Sequence, residues 1–250
     1  MRQGYSFFPL EWSAHAYRMI FASGSSIIRS YGVSIAVTLS GTILAVVITC
    51  AAAYTLSFKD NIYAGRISMF FFITMVFNAG MVPWYMMCVR LGLRNNFLAL
   101  IIPSLMFSPF NLFLVKNFMQ GIPDSLRESA TIDGANDMQI AWRIYVPLCV
   151  PVIATVALFY GLRYWNDWWN AIMLVDNKNL YPLQYLLLQL KSQVQMMRDL
   201  QDTMGASDEM VPTETLKMAT AIVTIGPIVL LYPYLQKYFV SGLTIGSVKG

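Results

Sequence analysis

The sequence predicts an all-α protein, a polytopic bundle of membrane-crossing helices. Three observations lead there. Residues of the AVILMFWYC set make up 57% of the 250 residues, and mean hydropathy is +0.54. Charged residues are 12% of the chain, about half of what a soluble domain carries. Apolar stretches of roughly twenty residues, the length that spans a bilayer, recur along the chain. This composition excludes a disordered chain, a fibrous repeat and a nucleic-acid binder. Seventeen Lys and Arg against thirteen Asp and Glu leave a net charge of +4, too small to imply an anionic partner. The single histidine, His15, leaves little room for a His-metal site or a Ser-His-Asp triad. Cys50, Cys88 and Cys149 are scattered through apolar surroundings, which reads as packing and not as a disulfide framework.

Taken in order, residues 1–30 form a mixed head, extracytoplasmic or interfacial, and no apolar run follows the start to make a secretory signal. The transmembrane domain runs over 31–240, with spans at about 31–58, 67–89, 97–118, 147–175 and 216–238. Small residues in the first span, among them Gly41, Ala45, Ala51, Ala52 and Ala53, suit close helix packing. Interior prolines (Pro83, Pro103, Pro109, Pro151, Pro227, Pro233) remove helix hydrogen bonds, a loss that neighbours in a membrane bundle make good. Two connections are long. The first, 120–146, is polar and helical in pattern. The second, 176–215, is extracytoplasmic; Leu186, Leu187, Leu188, Leu190, Met196, Met197 and Leu200 suggest an interfacial helix in part of it. Residues 241–250 form a cytoplasmic tail.

Charge adds one expectation. With the 120–146 loop in the cytoplasm, seven of the seventeen lysines and arginines lie inside, which does not follow the positive-inside rule. Five spans also place the termini on opposite sides, so a basic head would have to cross without a signal. A sixth, N-terminal span is therefore expected to be missing from this chain.

The most informative segment is Pro123-Asp-Ser-Leu-Arg-Glu-Ser-Ala-Thr-Ile-Asp-Gly-Ala-Asn-Asp, continuing to Ile144-Tyr-Val-Pro147. Ser125 stands three residues before Glu128, the spacing of a capping box, so a short helix should start there. Gly134 supplies the left-handed residue that ends it. Asn136 can cap a second helix, whose Met138, Ala141, Trp142 and Tyr145 fall near one face. Pro147 opens the next span. The two helices should meet at nearly a right angle and lie on the bilayer surface. Small residues (Ser129, Ala130, Ala135) beside one carboxylate would admit a closely packed partner. A capped amphipathic loop with no partner fits the same residues.

Glu128-Ser-Ala, then Gly134, then Ile144-x-Val-Pro147 resembles the EAA signature of binding-protein-dependent ABC importer permeases. Four fixed elements fall in register over twenty residues, with Ser129 for Ala and Val146 for Leu as mild departures. Asp133-Gly134-Ala135 is typical of carbohydrate-importer permeases. Trp165-Asn166 is similar to their Trp-Asn pair. The ending, Ser241-Gly-Leu-Thr-Ile-Gly-Ser-Val-Lys-Gly250, looks like the tail of the second permease of maltose-type importers. Asn78-Ala-Gly-Met-Val-Pro83, Leu91-Gly-Leu93 and Tyr181-Pro-Leu183 look like the branch near alginate-oligosaccharide and complex-glycan importers.

The resemblance implies a type I ABC importer transmembrane-domain fold in the bacterial cytoplasmic membrane, with the EAA loop as a cytoplasmic coupling helix. Glu128, Ser129, Ala130, Asp133, Gly134, Ala135 and Pro147 would then couple to a partner ATPase. The chain has no G-x-x-x-x-G-K-S/T loop, so it carries no cofactor of its own; ATP and Mg would be bound by that partner. Further partners implied are a second permease, a second copy of the ATPase, an extracellular sugar-binding protein and membrane lipid. The tail, through Gly242, Gly246, Lys249 and Gly250, would reach between the ATPases. No catalytic or metal site is expected.

Candidates for a sugar pathway are Asn78, Trp84, Asn111, Trp165, Asn166 and Trp169, because sugars stack on aromatic faces and hydrogen-bond to amides. An interfacial aromatic belt is the commoner cause of tryptophans at a span end. Two other functions compete. An autonomous secondary transporter or channel would show an inverted repeat or several intramembrane carboxylates. A membrane enzyme would cluster His, Asp or Glu at one face. The sequence has neither pattern.

Overall fold

The computed structural model describes Arg18 and residues 24–58, 60–103, 105–204, 218, 219 and 222. Most of the head, most of the 216–238 stretch, and the tail with Gly242, Gly246, Lys249 and Gly250 lie outside the described residues. Among the described residues every regular element is helical.

Helix α1, Gly24–Ser57, is the longest and carries no proline. Its apolar stretch Ser26–Ser57 is long enough to cross a membrane. Hydroxyls along it return to the helix's own carbonyls, Ser40 to Ala36 O at 2.6 Å and Thr55 to Ala51 O at 3.0 Å, which hides polar atoms in an apolar setting. Asn61 Nδ2 donates to Thr55 O at 2.9 Å and so satisfies a carbonyl at the helix end. One side of α1 packs into the chain; Ile28, Leu39 and Ile43 on the other side are exposed.

The 67–89 stretch is two helices, α2 (Ala64–Val76) and α3 (Met81–Arg90), bent by 118°. The break has a local cause. Gly80 takes a positive φ of 87°, and its N–H donates to Asn78 Oδ1 at 2.8 Å in a tight side-chain turn. A short 3-10 turn, Phe97–Leu100, precedes α4, Pro109–Met119. After the loop described below come α7 (Val150–Trp165), α8 (Trp169–Leu174) and the long amphipathic α9 (Leu183–Met204). Among the described residues, three of the prolines expected to interrupt helices start them instead. Pro83, Pro109 and Pro151 each lie in a first turn, where the missing N–H costs nothing.

The core is built where α1, α4 and α7 pack on one another. At residues 101–103 and 105–108 the backbone is irregular, and side chains of α7 and α8 satisfy polar groups there. Tyr164 donates to Ile101 O at 2.9 Å, and Asn170 Nδ2 to Pro103 O at 3.0 Å. Ser108 N donates to Tyr160 Oη at 3.0 Å, and Tyr160 also shares a hydrogen bond with Thr49 at 2.8 Å. Irregular backbone stays buried only when its polar groups are paired in this way. Tyr160→Phe should therefore destabilise the purified protein by about 1–3 kcal/mol, read as an earlier thermal transition; an unchanged transition would show that water replaces the hydroxyl. The three cysteines are free and buried, as expected of packing residues.

Candidate functional site

The 120–146 loop folds into α5, Asp124–Ile132, and the start of α6, Asp137–Leu148. The expected capping box at Ser125 and Glu128 does not form. The N-cap is Pro123, at φ −60° and ψ 133°, and no side chain caps it. Proline presets the entry dihedral, so the helix starts early enough to place Ser125 inside its first turn. Asp124 in that turn suits the helix dipole.

The exit of α5 is as the sequence predicts. Gly134 has φ +83°, its N–H donates to Thr131 O, and Ala135 N–H donates to Ala130 O, both at 3.0 Å. This paired closure needs a left-handed residue at 134. Asn136 then opens α6 with a complete capping box: Gln139 N donates to Asn136 Oδ1 at 2.9 Å, and Asn136 N donates to Gln139 Oε1 at 3.0 Å. Within α6, Ala141–Tyr145 is a π-helical turn just before Pro147. Pro147 has no N–H to give to the preceding turn, and the ladder widens ahead of it. A bend of 85° separates α6 from α7.

These turns decide which side chains face out. Asp124, Glu128, Ser129, Ile132 and Asp133 are exposed; Ile132 is 86% exposed despite being apolar. Ala130 is buried and Ala135 packs against the same core. The small side chains at 130 and 135 therefore bring the loop close to its own bundle, and the room they make is not presented to a partner. Beside α5 runs a groove of approximately 610 Å³, lined by Phe58, Asp60, Asp124, Arg127, Glu128, Thr131 and Ile132. A further exposed pair on α6, Met138 and Trp142, is joined by a 3.0 Å contact from Trp142 Nε1 to Met138 Sδ.

The pathway candidates do not form one cluster. Asn111 is 2% exposed, inside the bundle, and Trp165 is packed with Ile27, Leu183 and Leu187 in a second apolar cluster. Asn78 is exposed at the α2–α3 break, where its carbonyl is engaged by Gly80. Trp84 is half-buried, and its indole N–H has no hydrogen-bond partner. Asn166 donates to Leu162 O at 2.8 Å and accepts from Gln184 at 3.3 Å. Trp169 is partly exposed, edge-on to Trp168 at 5.8 Å. On the side away from the EAA loop, Asn95 Oδ1 accepts from Asp176 N and Asn177 N, and Arg94 pairs with Asp176 at 3.1 Å. Arg29 donates to Asn179 there. Sequence reasoning missed these bracing residues, because each works through a partner far along the chain.

Comparison with known proteins places this arrangement. Over 244 residues the chain is 41% identical to the polygalacturonan/rhamnogalacturonan transport system permease protein YtcP of Bacillus subtilis, covering 97% of this chain and 84% of that protein. It is 37% identical to the LplC protein of the same organism, over 100% of this chain and 83% of LplC. The crystal structure of a bacterial ABC transporter involved in the import of the acidic polysaccharide alginate aligns with a TM-score of 0.82 at 29% identity, covering 95% of this chain and 84% of that one. The family model for the binding-protein-dependent transport system inner membrane component matches residues 38–245, which include the whole EAA loop. The chain belongs to that family: it is an inner-membrane permease, a transport subunit and not an enzyme.

Proposed function

We infer that this permease serves an ATP-driven importer of oligosaccharides, with α5 and the first turns of α6 as its coupling element. The observation that carries the reading is the outward face of α5. It sets a carboxylate, Glu128, beside a nearly naked isoleucine, Ile132, above an open groove on a helix seated on its own bundle. An exposed apolar side chain next to a fixed charge suits a protein partner better than water or lipid headgroups. Glu128, Ser129 and Asp133 are the contacting residues. Ala130, Gly134, Ala135 and Pro147 act by shaping and seating the helix.

The partners are two copies of a cytoplasmic P-loop ATPase, which bind ATP and Mg, a second permease, and an extracellular sugar-binding protein. The exposed apolar face of α1 and those of α2 and α3 meet the second permease and lipid. Closure of the ATPases moves α5 and α6 as levers and switches the permease pair between inward- and outward-facing states. Gly242, Gly246, Lys249 and Gly250 extend the ATPase contact. Among the pathway candidates Asn78, Trp84, Asn166 and Trp169 carry the reading better than the enclosed Asn111 and Trp165. The sugar class follows the relatives, whose names include polygalacturonan, rhamnogalacturonan and arabinooligosaccharides.

Extraction of the tagged chain from native membranes in mild detergent tests this. The expected result is recovery with a second permease, a P-loop ATPase and a sugar-binding protein. Recovery of the chain alone, or as a homo-oligomer from an extraction that leaves other membrane complexes intact, overturns it.

A further inference from the structure

The coupling role assigned above leaves a mechanical question on which this inference rests. A push on α5 must reach the long helices, yet α5 has nine residues and buries only Ala130. Its covalent ends are turns, with Gly121 before it and Gly134 after it, and turns transmit force poorly. A side-chain tie has to do the work.

One contact fits. The guanidinium carbon of Arg127 lies 4.1 Å from the centroid of the Phe58 ring. Arg127 precedes Glu128, so it points about 100° around the helix from the carboxylate and is half-buried on the inner side. Phe58 is the residue directly after α1. Its ring is edge-on to Tyr54 at 4.7 Å, and Tyr54 is edge-on to Tyr145 of α6 at 5.1 Å. Phe58 and Tyr145 close the triangle at 5.9 Å. Tyr54 and Tyr145 are 8% and 1% exposed, so the rings under the arginine are held in the core. Edge-to-face rings hold a preferred geometry, and a guanidinium over an aromatic face is attracted by the ring quadrupole. Three acidic residues, Asp60, Asp124 and Glu128, line the same groove, yet the cation rests on the ring and the outer carboxylate stays available.

We propose that Arg127 is a positioning residue: stacked on Phe58, it locks the coupling helix α5 to the end of α1, and the Tyr54–Phe58–Tyr145 triangle fastens α6 to the same joint. Movement imposed on α5 then passes to α1 and, through its packing, to α7 and α4.

ATP hydrolysis by the whole purified complex in lipid nanodiscs reads the joint and needs no sugar. Variants are Arg127→Ala, Phe58→Leu and their combination, with Arg127→Lys and Phe58→Trp as conservative controls. With the joint broken, closure of the ATPases no longer has to move the long helices, and unstimulated hydrolysis should rise roughly fivefold in either single variant. The double variant rises no further than one single variant, because both remove one contact. Phe58→Trp, which keeps an aromatic face, stays near the unaltered rate, and Arg127→Lys falls between. A residue needed only for folding would lower complex yield and hydrolysis together and would not be rescued by tryptophan. Unchanged rates in both single variants, or additive effects in the double, overturn the proposal while leaving the importer reading intact. Absence of ATP hydrolysis from the unaltered, intact complex sinks the importer reading itself and this inference with it.

Discussion

Glu128→Lys should reduce ATP-driven uptake by roughly a hundredfold or more while the chain remains in the membrane. Glu128 is exposed on the outer face of α5 and contributes nothing to the buried core. Reversing its charge leaves the fold untouched. At the proposed docking surface a basic ATPase residue facing Glu128 would meet repulsion in place of attraction, and like charges juxtaposed across an interface cost several kcal/mol. About 2.7 kcal/mol already corresponds to a hundredfold change. Uptake of labelled oligosaccharide into proteoliposomes containing the whole complex, with membrane fractionation of the variant, reads both halves of the expectation. Glu128→Gln, which loses attraction without adding repulsion, should lie between. Uptake within twofold of the unaltered protein would remove Glu128 from the coupling role.

Gly41→Ala should cost about 2–3 kcal/mol and Gly41→Val more, lowering the thermal transition of the purified complex by several degrees. A methyl at position 41 would sit 2.5 Å from Cζ of Tyr164 and 2.6 Å from its Cε1. The ring cannot retreat. Tyr164 is 2% exposed, and its hydroxyl is held by Ile101 O at 2.9 Å. The clash falls on the packing of α1 against α7, which organises the core. Gly32, on the same helix, has open space at its Cβ position. Gly32→Ala should therefore be neutral or slightly stabilising, and Gly41→Ala combined with Tyr164→Leu should cost less than the sum of the two single changes, because the clash disappears with the ring. Equal transitions for the position-32 and position-41 variants would show that α1 and α7 separate easily here.

Much of the candidate site was legible in residue order because its instructions are local. The closure at Gly134 and the capping box at Asn136 each act within six residues, so spacing suffices to read them. The register from Glu128 to Pro147 carried the family resemblance on the same ground. The capping box expected at Ser125 failed for a local reason as well: Pro123 sets the entry dihedral and takes the cap position first.

By itself, then, the sequence determined the helical class, the membrane setting, the family and the outline of the EAA loop. Apolar length, composition and cap spacing are properties of neighbouring residues, and they survive any change of tertiary arrangement. Only the tertiary structure decided where those residues face. It turned Ala130 and Ala135 inward, enclosed Asn111 and Trp165, and used Tyr160, Tyr164 and Asn170 to satisfy an irregular stretch distant in sequence. It also laid Arg127 on Phe58, a contact between residues far apart in the chain. Such pairings depend on which helices pack together. That is settled by the burial of whole faces, and short-range patterns do not encode it.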